Sequence, residues 1–103
     1  ISATPDAEIS EQPRPSAVAG SFYPDADVER TTTITELLQQ AKIRHASRTK
    51  LKPLAIMVPH AGLRFSGGVA ASVWGSIELP RTLLLIGPKH TPHGVDWAVS
   101  PHR

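Results

Sequence analysis

The chain has 103 residues, of which 40% are hydrophobic and 19% are charged, proportions typical of a globular domain. A net charge of +2 gives no basis for a nucleic-acid partner, and the lack of cysteine excludes disulfides and thiolate metal ligands from this stretch. Its longest apolar runs, LAIMV (54–58) and LLLIG (83–87), are far shorter than the ~20 residues that span a bilayer, so we expect no membrane segment and, without a signal peptide, a cytoplasmic location.

The N-terminal region changes character after residue 16. Residues 1–16 are rich in proline, serine and acids without apolar periodicity, which predicts a flexible tail. AVAGSFYP (17–24) groups small and aromatic residues around Gly20, and we expect an ordered extended segment or turn that packs on the body of the protein. The sequence therefore predicts a tail followed by one α/β domain portion over 17–103.

A helix is predicted from Asp25 to about Ala46. Either Asp25 or Asp27 can cap its start, and Glu29 adds favourable charge to the first turn. Basic residues gather near its end, where we expect them to complement the helix C-terminus and to lie in a solvated loop: Lys42, Arg44, Arg48, Lys50 and Lys52. The apolar positions follow a period near 3.6: Val28, Ile34, Leu37, Leu38 and Ala41.

The next segments alternate between strand and helix patterns. LAIMV is a continuous apolar run between two prolines, Ser66 resembles the N-cap of a helix ended by Pro80, and TLLLIG (82–87) is a second buried strand. WAV (97–99) begins a weaker third strand. This order predicts an α/β fold with a partial, mainly parallel sheet and flanking helices, the βαβ unit of a larger three-layer α/β domain. Because two strands cannot complete such a sheet, we expect the N-terminal portion of a longer protein.

Two histidines follow the two predicted strands. His60 lies two residues past LAIMV, and His90 lies three residues past Gly87. The ends of neighbouring parallel strands are ~5 Å apart, or ~10 Å with one strand between them, so both imidazoles could reach one metal ion. A histidine after a strand can also be an ordinary turn residue, and both interpretations stay open. His93 could replace His90 as a ligand, act as an acid or base, or simply be exposed.

The start of the second helix has the composition of an anion site. Gly62 and Gly67 flank Ser66, so backbone N–H groups there could approach an anion closely. Lys89 could add positive charge for an anionic substrate. Glycine for tight turning and close packing, and an exposed loop lysine, are equally open explanations. A P-loop is excluded because no G-K-[ST] follows.

In this order, AVAGSFYP (17–24), VPHAGLRFSG (58–67) and LLIGPKH (84–90) resemble the motifs of the Memo family, whose prokaryotic members are called AmmeMemoRadiSam system protein B. The resemblance implies a fold like that of the class III extradiol ring-cleaving dioxygenases. It also implies an iron or copper site of two histidines and one cysteine. His60 and His90 match the motif histidines, and the third ligand would lie outside this chain.

Four positions depart from the family's usual motifs. Leu63 and Phe65 stand where tyrosines are common, Lys89 stands where serine is usual, and Thr91 stands where some members carry a histidine. These changes affect contacts to a substrate more than the pair of metal ligands.

The resemblance implies redox or dioxygenase-like metal chemistry linked to AMMECR-type and radical SAM proteins, with His93 as the candidate for proton transfer. The alternative is a non-catalytic module that uses the same cleft to bind a peptide or protein partner. A nucleophilic mechanism has little support, because Ser66 is not in a G-x-S-x-G elbow.

Overall fold

The structure is a computed structural model that describes residues 11–47 and 49–102. They form two compact units: Ala17–Arg81, which contains both helices, and a second unit in which residues 11–16 join residues 82–102. Most of the predicted N-terminal tail, residues 1–10, lies outside the described residues, as does Arg48 of the predicted basic cluster.

Helix α1 spans Asp27–Arg44, which confirms the predicted helix over 25–46. Acidic residues occupy its first turn and basic residues its last, so both ends complement the helix dipole as predicted. The predicted cap was wrong: the N-cap is Ala26, without a side-chain hydrogen bond. Asp27 instead forms an ion pair with Arg30, whose guanidinium also donates to the carbonyl of Asp25 at 3.0 Å. Arg30 therefore ties the first turn of α1 to the residues before it by donating hydrogen bonds, whereas a capping side chain would accept them.

Helix α2 spans Leu63–Trp74 and begins earlier than predicted. Its N-cap is Gly62, whose carbonyl accepts hydrogen bonds from the amides of Phe65 at 2.9 Å and Ser66 at 3.1 Å. The assignment of Ser66 as N-cap was therefore wrong, because the first helical turn is already closed around Gly62. The helix ends at Gly75, whose amide donates to Ala71, and so it stops before Pro80 is reached.

The two helices pack through small residues. Ala41 of α1 and Ala71 of α2 are buried, together with Ile77, and they form the small apolar core of this unit. A Cβ atom added to Gly67 would lie 2.8 Å from Leu37 Cδ1, so glycine allows the close approach of α1 at this point. At the exposed edge, the Arg44 guanidinium donates to the Ser72 hydroxyl at 3.1 Å.

A parallel backbone bridge joins the segments that precede and follow α2. The Leu51 amide donates to Ser76 at 2.9 Å, and the Glu78 amide donates back to the Leu51 carbonyl at 2.8 Å, which pairs Leu51 with Ile77. The chain therefore runs in the same direction on the two sides of α2. This is the orientation that a βαβ unit requires, although one bridge does not make a sheet.

The three segments predicted as strands have no strand assignment in the part of the chain that the structure describes. Within 54–58 and 82–87, several apolar side chains are largely exposed: Leu54, Met57, Leu84, Leu85 and Ile86. A strand needs a hydrogen-bonded neighbour, and a single pair of strands is marginal in water. The parallel sheet remains a prediction.

An apolar groove of about 940 Å³ lies within the unit Ala17–Arg81. Residues of both helices and of the segment after α2 line it, with Leu37, Leu63 and Trp74 among them. Lys42, His45 and Lys50 also line the groove.

Neither described helix has the length and apolar character that a membrane crossing requires.

Candidate functional site

His60 lies at the bend of residues 60–62 that leads from segment 52–59 into α2, and this bend is called the His60 turn below. Its side chain is exposed, and Pro59 precedes it. The turn is fixed by backbone hydrogen bonds on its C-terminal side. The amide of Leu63, three residues after the histidine, donates to the carbonyl of Phe22 at 2.8 Å. The Ser66 hydroxyl donates to the carbonyl of Ala61 at 3.0 Å.

The partner of this turn is the segment AVAGSFYP (17–24). It folds back on itself: the Phe22 amide and the Ser21 hydroxyl both donate to the Val18 carbonyl at 2.9 Å, and the Gly20 amide donates to Tyr23 at 2.8 Å. Gly20 has a φ of 81°, in the left-handed region that favours glycine. The segment is therefore an ordered turn that packs on the body of the unit, as predicted.

Gly62 marks the point where these two turns touch. A Cβ atom at this position would lie 3.2 Å from the Phe22 carbonyl oxygen and 3.4 Å from its Cα. The first distance is tighter than ordinary van der Waals contact, and the obstacle is backbone rather than the end of a flexible side chain. Gly62 therefore permits close approach of the 17–24 turn to the turn that carries His60.

The other residues predicted to bind an anion have structural contacts of their own. Gly67 is buried against α1, and Ser66 is half-buried with its hydroxyl directed to Ala61. The first-turn amides of Leu63 and Phe65 already donate to backbone carbonyls. These contacts agree with the explanation of glycine as a packing residue, and anion binding at Gly62, Ser66 and Gly67 stays a prediction.

The two positions that depart from the family's tyrosines face different surroundings. Leu63 is half-buried and lines the apolar groove between the helices. Phe65 is exposed on the first turn of α2, where the Arg64 guanidinium lies 5.5 Å from the centre of its ring. An apolar side chain at position 63 therefore extends the apolar lining next to the His60 turn.

His90 and His93 lie on an exposed loop of the second unit. Within this loop, the Lys89 ammonium donates to the carbonyl of Gly94 at 3.1 Å. Gly94 has a φ of 79°, a conformation that glycine adopts without strain. The lysine contact closes the loop that carries both histidines, and this contact was not foreseen from the sequence. Binding of an anionic substrate by Lys89 stays a prediction.

The two predicted metal ligands lie in different units: His60 belongs to Ala17–Arg81, and His90 belongs to the unit that contains residues 82–102. Its convergence on one ion remains a prediction. Among residues 11–47 and 49–102, no group of three or more histidine or carboxylate side chains is arranged to hold a metal ion. The donor chemistry nevertheless fits the implied metals, because two imidazoles suit iron and copper and leave positions for further ligands.

Comparison with known proteins identifies the family. A model of the family described as Memo-like protein matches residues 14–103. The chain belongs to this family. The Memo-like chain is 43% identical over 81 residues to a MEMO1 family protein of Aquifex aeolicus, an alignment that covers 79% of this chain and 28% of the relative. It is 39% identical over 99 residues to a MEMO1 family protein of Ignicoccus hospitalis, covering 85% of this chain and 34% of the relative.

A third relative has similar coverage. The MEMO1 family protein of Thermococcus onnurineus is 40% identical over 91 residues, covering 82% of this chain and 29% of the relative. The Memo-like chain thus spans about a third or less of the length of these curated relatives. No solved structure matches it significantly.

Sequence reasoning missed the part that Phe22 plays in the His60 turn. The ordered character of AVAGSFYP was visible in its composition, but its partner was not. The contact uses the backbone carbonyl of Phe22, and backbone hydrogen bonds leave no mark in hydrophobic periodicity. The only indication in the sequence was Gly62. A glycine two residues after the histidine is typical of a position where another backbone segment comes close.

Proposed function

We propose that this Memo-like chain supplies two histidine ligands, His60 and His90, to a non-haem iron or copper site. The observation that carries the proposal is the placement of His60. It lies in VPHAGLRFSG, which resembles a Memo motif and falls within the residues that match the family model, and hydrogen bonds hold the residues directly after it. A ligand on a fixed turn meets a metal ion at a lower entropy cost than one on a flexible loop.

The chain's own residues have distinct parts in this proposal. The imidazoles of His60 and His90 bind the ion, and a third ligand comes from elsewhere in the protein. His93, on the same exposed loop as His90, is the candidate general acid or base, since an imidazole can serve in either role. Of the residues predicted to contact an anionic group of a substrate, Lys89 keeps that part in the proposal, whereas the contacts of Gly62, Ser66 and Gly67 are those of packing and of the turn. When bound, iron or copper supplies Lewis-acid or redox chemistry.

The wider setting is proposed on the family resemblance. Memo-like prokaryotic proteins are linked with AMMECR-type and radical SAM proteins, and we propose partners of those two kinds together with a cytoplasmic location. Support for an α/β domain comes from the parallel pairing of Leu51 with Ile77 around α2, the chain direction that a βαβ unit uses.

Anaerobic metal loading tests the proposed ligands. The complete protein, which supplies the third ligand, is incubated with Fe²⁺ or, separately, Cu²⁺ and freed of excess metal, and its bound metal is measured. We expect His60→Ala and His90→Ala each to retain much less metal than the unsubstituted chain. His45→Ala is the matched control, because His45 lines the groove between the helices and is not a proposed ligand. Equal metal content in all four proteins would overturn the proposal.

Oxygen uptake separates an enzyme from a binding module. The iron-loaded complete protein is mixed with a catechol in an oxygen electrode, and the control is the same protein without metal. Uptake that depends on iron and catechol would support dioxygenase-like chemistry. Retained metal without oxygen uptake would instead favour the non-catalytic module.

A further inference from the structure

We propose that the Phe22 carbonyl and the Ser66 hydroxyl are positioning groups that fix the backbone of the turn carrying His60. This inference rests on the proposed function, in which the turn carries a metal ligand. AVAGSFYP (17–24) and Ser66 then hold the His60 turn in place, a role distinct from metal binding and from helix capping.

The first brace, by which we mean a hydrogen bond that holds the His60 turn, comes from the 17–24 turn. The Phe22 carbonyl accepts a hydrogen bond of 2.8 Å from the Leu63 amide, which is the first residue of α2. An amide in the first turn of a helix has no partner within the helix, so an outside acceptor can hold it. The Phe22 carbonyl is itself held in place, because the Phe22 amide bonds to Val18 and the Gly20 amide bonds to Tyr23.

The second brace comes from inside α2. The Ser66 hydroxyl reaches back to the carbonyl of Ala61, the residue directly after His60, at 3.0 Å. The amide of the same serine donates to Gly62 at 3.1 Å. Ser66 thus binds two successive carbonyls of the turn. Ser66 is half-buried, and its bond to the exposed Ala61 lies at the surface.

These two braces act on neighbouring peptide units, one on each side of Gly62. Together they limit the backbone conformations of the turn, and therefore the positions that the His60 side chain can reach. The absence of a Cβ at Gly62 is a condition for the first brace, since a Cβ would lie 3.2 Å from the Phe22 oxygen. A methyl group there would require the Phe22 backbone to shift by a few tenths of an ångström, and we expect this shift to weaken the first brace.

Two variants and their matched controls test this inference. Gly62→Ala introduces the crowding methyl group, whereas Gly68→Ala adds the same methyl group to the same helix where nothing lies within 4 Å. Ser66→Ala removes the second brace, and Ser66→Thr restores a hydroxyl. Helix content by circular dichroism shows whether each variant still folds.

Two readouts separate positioning from metal binding. Amide hydrogen exchange at Leu63 reports the first brace directly, and we expect exchange about tenfold faster in Gly62→Ala than in Gly68→Ala. Cu²⁺ affinity, measured with the metal alone, reports the consequence at His60. We expect Gly62→Ala and Ser66→Ala each to weaken it about tenfold, the scale of outer contacts that orient a ligand, and Ser66→Thr to restore it.

The outcomes distinguish the inference from the proposed function. If His60→Ala leaves Cu²⁺ affinity unchanged, the ligand assignment fails, and the Leu63 exchange rate alone still decides whether the brace exists. If His60→Ala weakens binding but Gly62→Ala and Ser66→Ala behave like Gly68→Ala in both readouts, the positioning inference is overturned. Faster Leu63 exchange together with weaker binding, restored by Ser66→Thr, supports it.

Discussion

The Leu63 amide and the Phe22 carbonyl, separated by some forty residues of sequence, form a 2.8 Å hydrogen bond at the base of the His60 turn. The bond joins two of the three motifs by which the chain resembles its family. Through it, the first residue of α2 is tied to a turn that precedes α1. The start of α2, three residues after His60, is therefore held by a contact between segments far apart in the chain.

The 17–24 turn should tolerate asparagine at position 20 better than valine. Gly20 has a φ of 81°, which asparagine can adopt at modest cost and a β-branched residue cannot. We expect Gly20→Val to lower the free energy of unfolding by about 1–3 kcal/mol and Gly20→Asn to lower it by less. Urea denaturation followed by circular dichroism measures both. Equal losses would contradict a turn that depends on the left-handed conformation.

The contact between Gly67 and Leu37 should appear as coupling between the two helices. Alanine at position 68 should stabilise α2 by up to about 1 kcal/mol, because it replaces glycine in a helix interior where space is open. At position 67 that gain should be lost, since the new Cβ would lie 2.8 Å from Leu37 Cδ1. Denaturation of Gly67→Ala and Gly68→Ala provides the comparison.

A double variant then tests the cause of that loss. Leu37→Ala removes the Cδ1 atom that crowds position 67, so Gly67→Ala should cost less in a Leu37→Ala background than in the unsubstituted chain. We expect a coupling free energy of about 1 kcal/mol between the two positions. Additive effects would mean that Leu37 is not what limits the size of residue 67.

The ion pair beside the parallel bridge should contribute little. Lys52 Nζ lies 3.3 Å from Glu78 Oε2, and both side chains are more than half exposed. We expect Glu78→Gln to change the free energy of unfolding by less than about 1 kcal/mol at low salt, and the difference to disappear in 1 M salt. A larger effect that persists in salt would indicate that Glu78 supports the bridge at Leu51 by some other contact.

The helices could be predicted from the sequence because their signals are local. The apolar spacing of α1 and the charges at its ends identified Asp27–Arg44 closely. The caps could not be predicted in the same way, because they depend on competition among several polar groups. Asp27 pairs with Arg30, and Ser66 bonds to Ala61, so neither side chain is used for the cap that its residue type suggests.

The sheet and the metal site depend on contacts that sequence periodicity does not specify. The apolar run 54–58 is typical of a buried strand, yet burial requires neighbouring strands, and Leu54 and Met57 are exposed. The histidines were found by their position after apolar runs and by their motifs. Whether His60 and His90 meet depends on how strand ends are arranged, which is decided by pairing between segments far apart in the chain.

Electron paramagnetic resonance of the Cu²⁺-loaded complete protein shows whether His60 and His90 bind the same ion. With one Cu²⁺ per protein, we expect coupling to two imidazole nitrogens in the unsubstituted protein and in His45→Ala, and to one in His60→Ala and in His90→Ala. An unchanged number of coupled nitrogens after either ligand substitution would contradict a shared site.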